Sequence, residues 1–171
     1  QWFEVIHKMG YDWYKDLIHV PFGLVSLDSG KLSTRHGNVV LMEDLLHQAI
    51  AETKKIIEEK NPSLPDKEEV AKKVGIGAVI FNDLYNTRIK DVVFSWERML
   101  NFDGETGPYV QYTHARACSI LKKVPDFTAE NIDFSKLDDE ASLNVCKLLE
   151  AFPSKIVDPA AKLEPYVLTR H

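Results

Sequence analysis

The chain has 171 residues with 44% apolar and 27% charged side chains, enough for one domain or two small ones and too apolar for a disordered segment. Its net charge of −5 argues against a general nucleic-acid coat, although a local basic site remains compatible with it. No apolar run approaches a membrane span, and the first ten residues lack the basic-then-apolar pattern of a signal peptide.

In chain order, Trp2, Val5, Ile6 and Met9 share one helical face, and Gly10 follows as a C-terminal cap. The first residue is not methionine and the pattern begins within a helix, which predicts a piece of a longer chain. Residues 16–27, "DLIHVPFGLVSL", are apolar and β-rich and read as a buried strand that Pro21 bends or divides. "DSG" is a turn. "GKLSTRHGNVV", residues 30–40, then sets Lys31, Arg35 and His36 around Ser33 and Thr34 between two glycines. Glycines let a backbone approach a ligand closely, and lysine and arginine suit phosphate oxygens. The spacing is not that of a P-loop, so these residues alone fit a phosphate-holding loop and a solvated basic turn equally well.

Residues 38–61 read as a long amphipathic helix through Met42, Leu45, Leu46, Ala49, Ile50, Thr53, Ile56 and Ile57, ended by "NPSLP". Asp66 with Glu69 offers a capping box for a second helix, with Val70, Val74, Ala78, Phe81 and Leu84 inward. Gly75 and Gly77 weaken it and predict a kink or break. "KDVVF" is extended, and Ser95 caps the short helix "WERML". Asn82, Asp83, Asn86, Arg88, Lys90, Asp91, Trp96 and Arg98 in this region read as groups that cap and brace helix ends.

Gly107-Pro108 opens another helix, which stops before Pro125. On it Tyr109, Tyr112 and Arg116 share one face, while Val110, Ala117 and Leu121 form a packing face. A tyrosine and arginine stripe stacks on unpaired bases, or packs as a core with its hydroxyls at the rim. "DDEASLNVCKLLEAF" is a helix with Leu143, Cys146, Leu149 and Phe152 inward, and Pro153 and Pro165 mark further helix starts. The six histidines are scattered, and Cys118 and Cys146 have no zinc spacing, so no protein metal site is expected and a reducing, cytoplasmic setting fits. The fold class read from this is mainly α, with the end of an α/β layer followed by a helix bundle.

Several segments in order resemble a known family. "MGYDWYKDLIHVPFGLV", "GKLSTRHGNVV", "VGIGAVIFNDLYNTRIKDVVFSWERMLNF" and "GETGPYVQYTHARACSIL" are similar to the arginyl-tRNA synthetases, a class I aminoacyl-tRNA synthetase family, and "EPYVLTRH" also resembles a family segment. The resemblance implies a C-terminal remnant of a Rossmann-like catalytic core over residues 1–105, including a loop of the KMSKS type. It implies an anticodon-binding helical bundle beginning at 106–171. The implied reaction is ATP-dependent attachment of L-arginine to tRNA(Arg) through an arginyl-adenylate, with Mg2+ carried by the ATP phosphates. Lys31 matches the first lysine of the signature, Ser33 its serine and Thr34 its second lysine. Lys31, Ser33, Thr34, Arg35, His36 and Gly37 are the implied ATP-binding set, with Lys31 and Arg35 catalytic. His36 stands where the family often has lysine and is largely neutral at pH 7, which weakens its share of the charge. Gly23 to Val25 flank the adenine in this reading, and Tyr109, Gln111, Tyr112 and Arg116 face tRNA. The HIGH signature and the arginine pocket are not in this sequence, so their N-terminal part of the catalytic core is an implied partner and the chain alone is expected to be inactive. A non-catalytic tRNA-binding module and a scaffold without ligand are the competing readings.

Overall fold

A computed structural model describes residues 1–27, 30–31, 41–124 and 132–171. Helix α1 (Trp2–Lys8) ends with Gly10 at a positive φ of 85°, and a 3-10 turn follows at Asp12–Asp16. The chain then runs extended to β1 (Val25–Leu27), which pairs antiparallel with β2 (Gly30–Lys31) and parallel with β3 (Val92–Phe94). Helices α2 (Met42–Lys60) and α3 (Lys67–Tyr85) cross between β1 and β3. After β3 come α4 (Trp96–Met99), α5 (Gly107–Leu121), α6 (Glu140–Lys162) and α7 (Tyr166–Thr169). Seven α-helices and three short strands make the described residues a mainly α fold with a small mixed sheet at its start.

The core lies between α2, α3, β3 and α4. Ala49, Ala78, Val79, Phe94, Met99 and Leu100 are buried together, with Leu45, Leu46, Ile56 and Trp96 around them. Small side chains bring α2 and α3 close. A Cβ at Gly75 would stand 2.7 Å from the Ala49 carbonyl oxygen, so only glycine fits this crossing. The same carbonyl accepts the hydroxyl of the buried Thr53 at 2.8 Å, which satisfies that polar group within its own helix. Lys54 and Glu68 form a hydrogen-bonded ion pair across the two helices at the surface, and Glu68 raises the Lys54 pKa through that bond and its charge.

Several expectations change, and Leu143, Cys146, Leu149 and Phe152 of α6, expected inward, are exposed. Residues 16–24 are not a buried strand: Ile18 and Phe22 are exposed, and pairing begins only at the strand segment after Pro21. Gly75 and Gly77 do not break α3, because they are the points where neighbouring backbone and side chains press closest. Asp66 does start α3, but in the left-handed region (φ 56°) and without a side-chain cap. Pro153 does not start a helix: α6 runs through Pro153 and Pro159, since its apolar period continues through Leu149, Phe152 and Ile156. The cap at Ser95 forms as predicted, accepting from the Arg98 N–H, and Thr106, not singled out in the sequence, caps α5 by accepting from the Tyr109 N–H.

Candidate functional site

The segment leading to the cationic loop is held by main-chain bonds. Gly23 N–H donates to the Arg88 carbonyl at 2.8 Å, Leu24 N–H to Asp91 Oδ1 at 2.8 Å, and Val92 N–H to the Leu24 carbonyl at 2.9 Å. A Cβ at Gly23 would lie 2.2 Å from the Lys90 carbonyl oxygen, so this contact requires glycine. Strand β1 pairs with β2, where Lys31 lies opposite Ser26. The strand pair therefore delivers the chain to the loop at Lys31. Ser33, Thr34, Arg35, His36 and Gly37 lie outside the described residues. Residues 23–25 line a cavity of about 320 Å³ together with Phe22, Leu84 and Pro165.

The second candidate surface is on α5. Gly107 and Pro108 are buried at its start, and a Cβ at Gly107 would stand 2.9 Å from the Gly77 carbonyl oxygen. Gln111 Nε2 donates to the Lys73 carbonyl at 3.2 Å and rests on Gly77. Gly107 and Gln111 thus turn toward α3. The face predicted to pack through Val110, Ala117 and Leu121 is instead exposed, because the close approach at Gly77 and Gly107 selects the other side. Tyr109 and Tyr112 are 45% and 48% exposed, so they are not a core stripe in this chain. Arg116 Nη1 donates to the Tyr112 hydroxyl at 3.2 Å, with its guanidinium carbon 5.6 Å from the ring centre. Tyr112 and Arg116 form a preassembled planar and cationic pair of the kind that stacks on a base beside a phosphate. Gln111, by contrast, is engaged with α3.

The braces anticipated between residues 82 and 98 are present and reach further than sequence spacing showed. Asn86 Nδ2 donates to the Asn82 carbonyl at 2.6 Å, closing the last turn of α3. Thr169 Oγ1 donates to the Leu84 carbonyl and Arg170 Nε to the Tyr85 carbonyl, both at 3.3 Å. Arg170 also lies 4.5 Å over the Tyr85 ring. A cation at a helix C-terminus is favoured by the orphan carbonyls and the helix dipole. Tyr85 in turn donates its hydroxyl to Glu105. Nothing local in the sequence signals the Thr169 and Arg170 bonds, which span 85 residues. Among the described residues, no three His, Cys, Asp or Glu side chains converge as metal ligands, and no helix is long and apolar enough to cross a membrane.

Two family profiles match the chain: "tRNA synthetases class I (R), catalytic domain" over residues 1–96 and "DALR anticodon binding domain" over residues 110–171. The chain is 56% identical over 171 residues to the arginine–tRNA ligase of Halothermothrix orenii, covering 100% of this chain and 30% of that protein. It is 55% identical over 170 residues to the arginine–tRNA ligase of Clostridioides difficile, covering 99% of this chain and 30% of the relative. The solved arginyl-tRNA synthetase of Thermus thermophilus superposes with a TM-score of 0.82 at 33% identity, over 98% of this chain and 28% of that one. The chain therefore spans about 30% of the length of the curated relatives it matches.

Proposed function

The chain belongs to the class I arginyl-tRNA synthetase family, and on that premise we propose that it is the stretch of an arginine–tRNA ligase that joins the end of the catalytic core to the start of the anticodon-binding helices. The observation that carries this is the match of two family profiles in succession along one chain. We place the division between the two parts near residues 105 and 106. The reaction is activation of L-arginine by ATP to an arginyl-adenylate, with release of pyrophosphate, followed by transfer to tRNA(Arg). Lys31 and Arg35 donate to the pyrophosphate oxygens as negative charge shifts onto them, with Ser33, Thr34, His36 and Gly37 completing the loop. The β1–β2 pairing that positions Lys31 supports this reading. Mg2+ enters through the ATP phosphates, and translation places the protein in the cytoplasm.

Tyr109, Tyr112 and Arg116 contact tRNA from the outer face of α5, with Gln111 anchoring that face to α3. The exposure of both tyrosines and the Arg116–Tyr112 pairing support the assignment. Replacing Tyr112 and Arg116 with alanine is expected to weaken tRNA binding and to flatten its salt dependence, because a phosphate contact is lost. Unchanged binding in a salt titration would remove both residues from the interface.

The chain alone is expected not to aminoacylate, since the HIGH signature and the arginine pocket are not in its sequence and half an ATP site cannot orient its substrates. ATP–pyrophosphate exchange with arginine and tRNA measures this directly, and turnover above background would overturn it. A chimera in which this chain replaces the corresponding segment of the full-length Halothermothrix orenii protein is expected to charge tRNA(Arg). A folded chimera without charging would refute the ligase assignment.

A further inference from the structure

Arg88 is held by three separate parts of the chain. Its Nη1 donates to the Pro21 carbonyl at 2.5 Å, its Nε to the Leu163 carbonyl at 3.1 Å and its Nη2 to Glu164 Oε1 at 2.9 Å. Its own carbonyl accepts from Gly23 N–H. The side chains of Arg88 and Glu164 are each only 20% exposed. Glu164 Oε2 is buried without a partner, so the carboxylate rests on Arg88 for its compensation. Leu163 adopts the left-handed conformation (φ 55°) that ends α6, which turns its carbonyl out of the helix for Arg88.

The two sides of this joint have different roles. Pro21 and Gly23 lie on the segment that enters β1 and reaches Lys31 through the hairpin. Leu163 and Glu164 form the corner between α6 and α7, inside the part matched by the anticodon-binding profile. Arg88 lies inside the part matched by the catalytic profile. The corner is fixed a second time, by Thr169 and Arg170 on the end of α3. The α6–α7 corner is therefore joined through Arg88 to Pro21. The planar, fork-like guanidinium transmits direction as well as charge, which a lysine ammonium cannot do.

We infer that Arg88 is a positioning residue that passes engagement of the anticodon-binding helices to the segment leading into the nucleotide loop. This rests on the ligase reading given above. It adds a route between the two ends that neither family profile assigns.

The test uses the full-length chimera and two tRNA(Arg) transcripts, one with its own anticodon and one with that anticodon replaced. In the unsubstituted chimera the replacement is expected to lower kcat about tenfold, a rise of about 1.4 kcal/mol in the barrier. In Arg88→Ala and in Glu164→Gln the kcat ratio between the two transcripts is expected to fall to within about twofold of one, at unchanged KM for ATP. Arg88→Lys is expected to recover part of the ratio, since one donor is kept and the fork is lost. A purely structural role would reduce active-site titre or melting temperature and leave the ratio intact, which overturns the inference. An anticodon replacement that acts on KM alone in the unsubstituted chimera overturns it equally. Should Arg88→Ala not fold, Glu164→Gln carries the same measurement. A chimera that folds and charges neither transcript refutes the ligase reading itself, an outcome distinct from a ligase whose kcat ratio ignores Arg88.

Discussion

The α2–α3 pair and α6 are both long amphipathic helical regions, yet the chain treats them in opposite ways. Helices α2 and α3 touch through backbone: Ala49 and Gly75 meet with no room for another carbon, and Ala71, Ala78 and Val79 are buried alongside. Helix α6 is longer, at 23 residues, but Pro159 is its only buried residue. Leu149 and Val157 on it are 67% and 65% exposed. Apolar periodicity alone does not separate these cases. What separates them is the presence of small residues at the crossing, because interiors packed to crystal density need complementary shape as well as apolar surface.

The comparison breaks most directly at Gly75. A Cβ there meets the Ala49 carbonyl carbon and oxygen at under 3 Å, and backbone cannot swing aside as a side chain can. Alanine in place of glycine gains about 1 kcal/mol of helix propensity. Overpacking costs about 1–3 kcal/mol and wins when the clash is with backbone. Gly75→Ala is therefore expected to destabilise the α2–α3 core by about 1–2 kcal/mol, read from urea unfolding. Gly77→Ala is the control. Its Cβ would meet only the end of the Gln111 side chain, which can rotate away. That variant is expected to be neutral within about 0.5 kcal/mol, and a loss as large as that of Gly75→Ala would show that helix separation is not the cause.

The same contrast explains which features were legible in the sequence. Helices α2, α3, α5 and α6 follow from apolar spacing, and Ser95 sits at a helix start because its hydroxyl satisfies an orphan N–H group locally. The loop at residues 30–40 stood out by its cations, and its assignment needed the neighbouring family segments. Gly75 and Gly77 were misread because propensity counts the cost of glycine and is blind to what lies opposite it. Residues 16–24 were misread because apolar content suggested burial, whereas the small sheet pairs only from Val25 onward. Pro153 was misread because a local rule about proline met a helix whose apolar face continues past it. The Arg88 joint and the Thr169–Leu84 contact join residues 67 or more apart, so no local pattern encodes them.

A smaller effect is expected at the start of α6. Asp139 caps this helix, accepting from the Ser142 hydroxyl and from Ser142 N–H at 3.0 Å. These bonds, the hydroxyl first, hold its carboxyl below the usual range. A depressed pKa means that the folded state binds the proton less readily than the unfolded one. The cap's contribution is thus complete above the unfolded value of about 3.9 and is lost as pH falls through the lower folded value. Asp139→Asn keeps an accepting oxygen and removes the titration. Fraying of the first turn of α6 on acidification is expected in the unsubstituted chain and absent at that step in the variant, as followed by amide chemical shifts of Ala141 and Ser142. An Asp139 carboxyl that titrates at or above the ordinary value would show that the cap is not formed.

The smallest effects belong to the exposed face of α6, and they are the sharpest test of the contrast. Leu149 and Val157 lose little apolar contact on replacement by glutamine, since most of each side chain already faces water. Glutamine also keeps or improves the local helix preference. Leu149→Gln and Val157→Gln are expected to leave the unfolding midpoint of this chain within about 0.5 kcal/mol of its starting stability. Their effect appears instead in self-association, because a contiguous exposed apolar face promotes it. Sedimentation of the two variants is expected to show less concentration dependence than the unsubstituted chain. A destabilisation comparable to that of Gly75→Ala would mean that α6 is packed as tightly as α3, and the distinction between the two regions would fail.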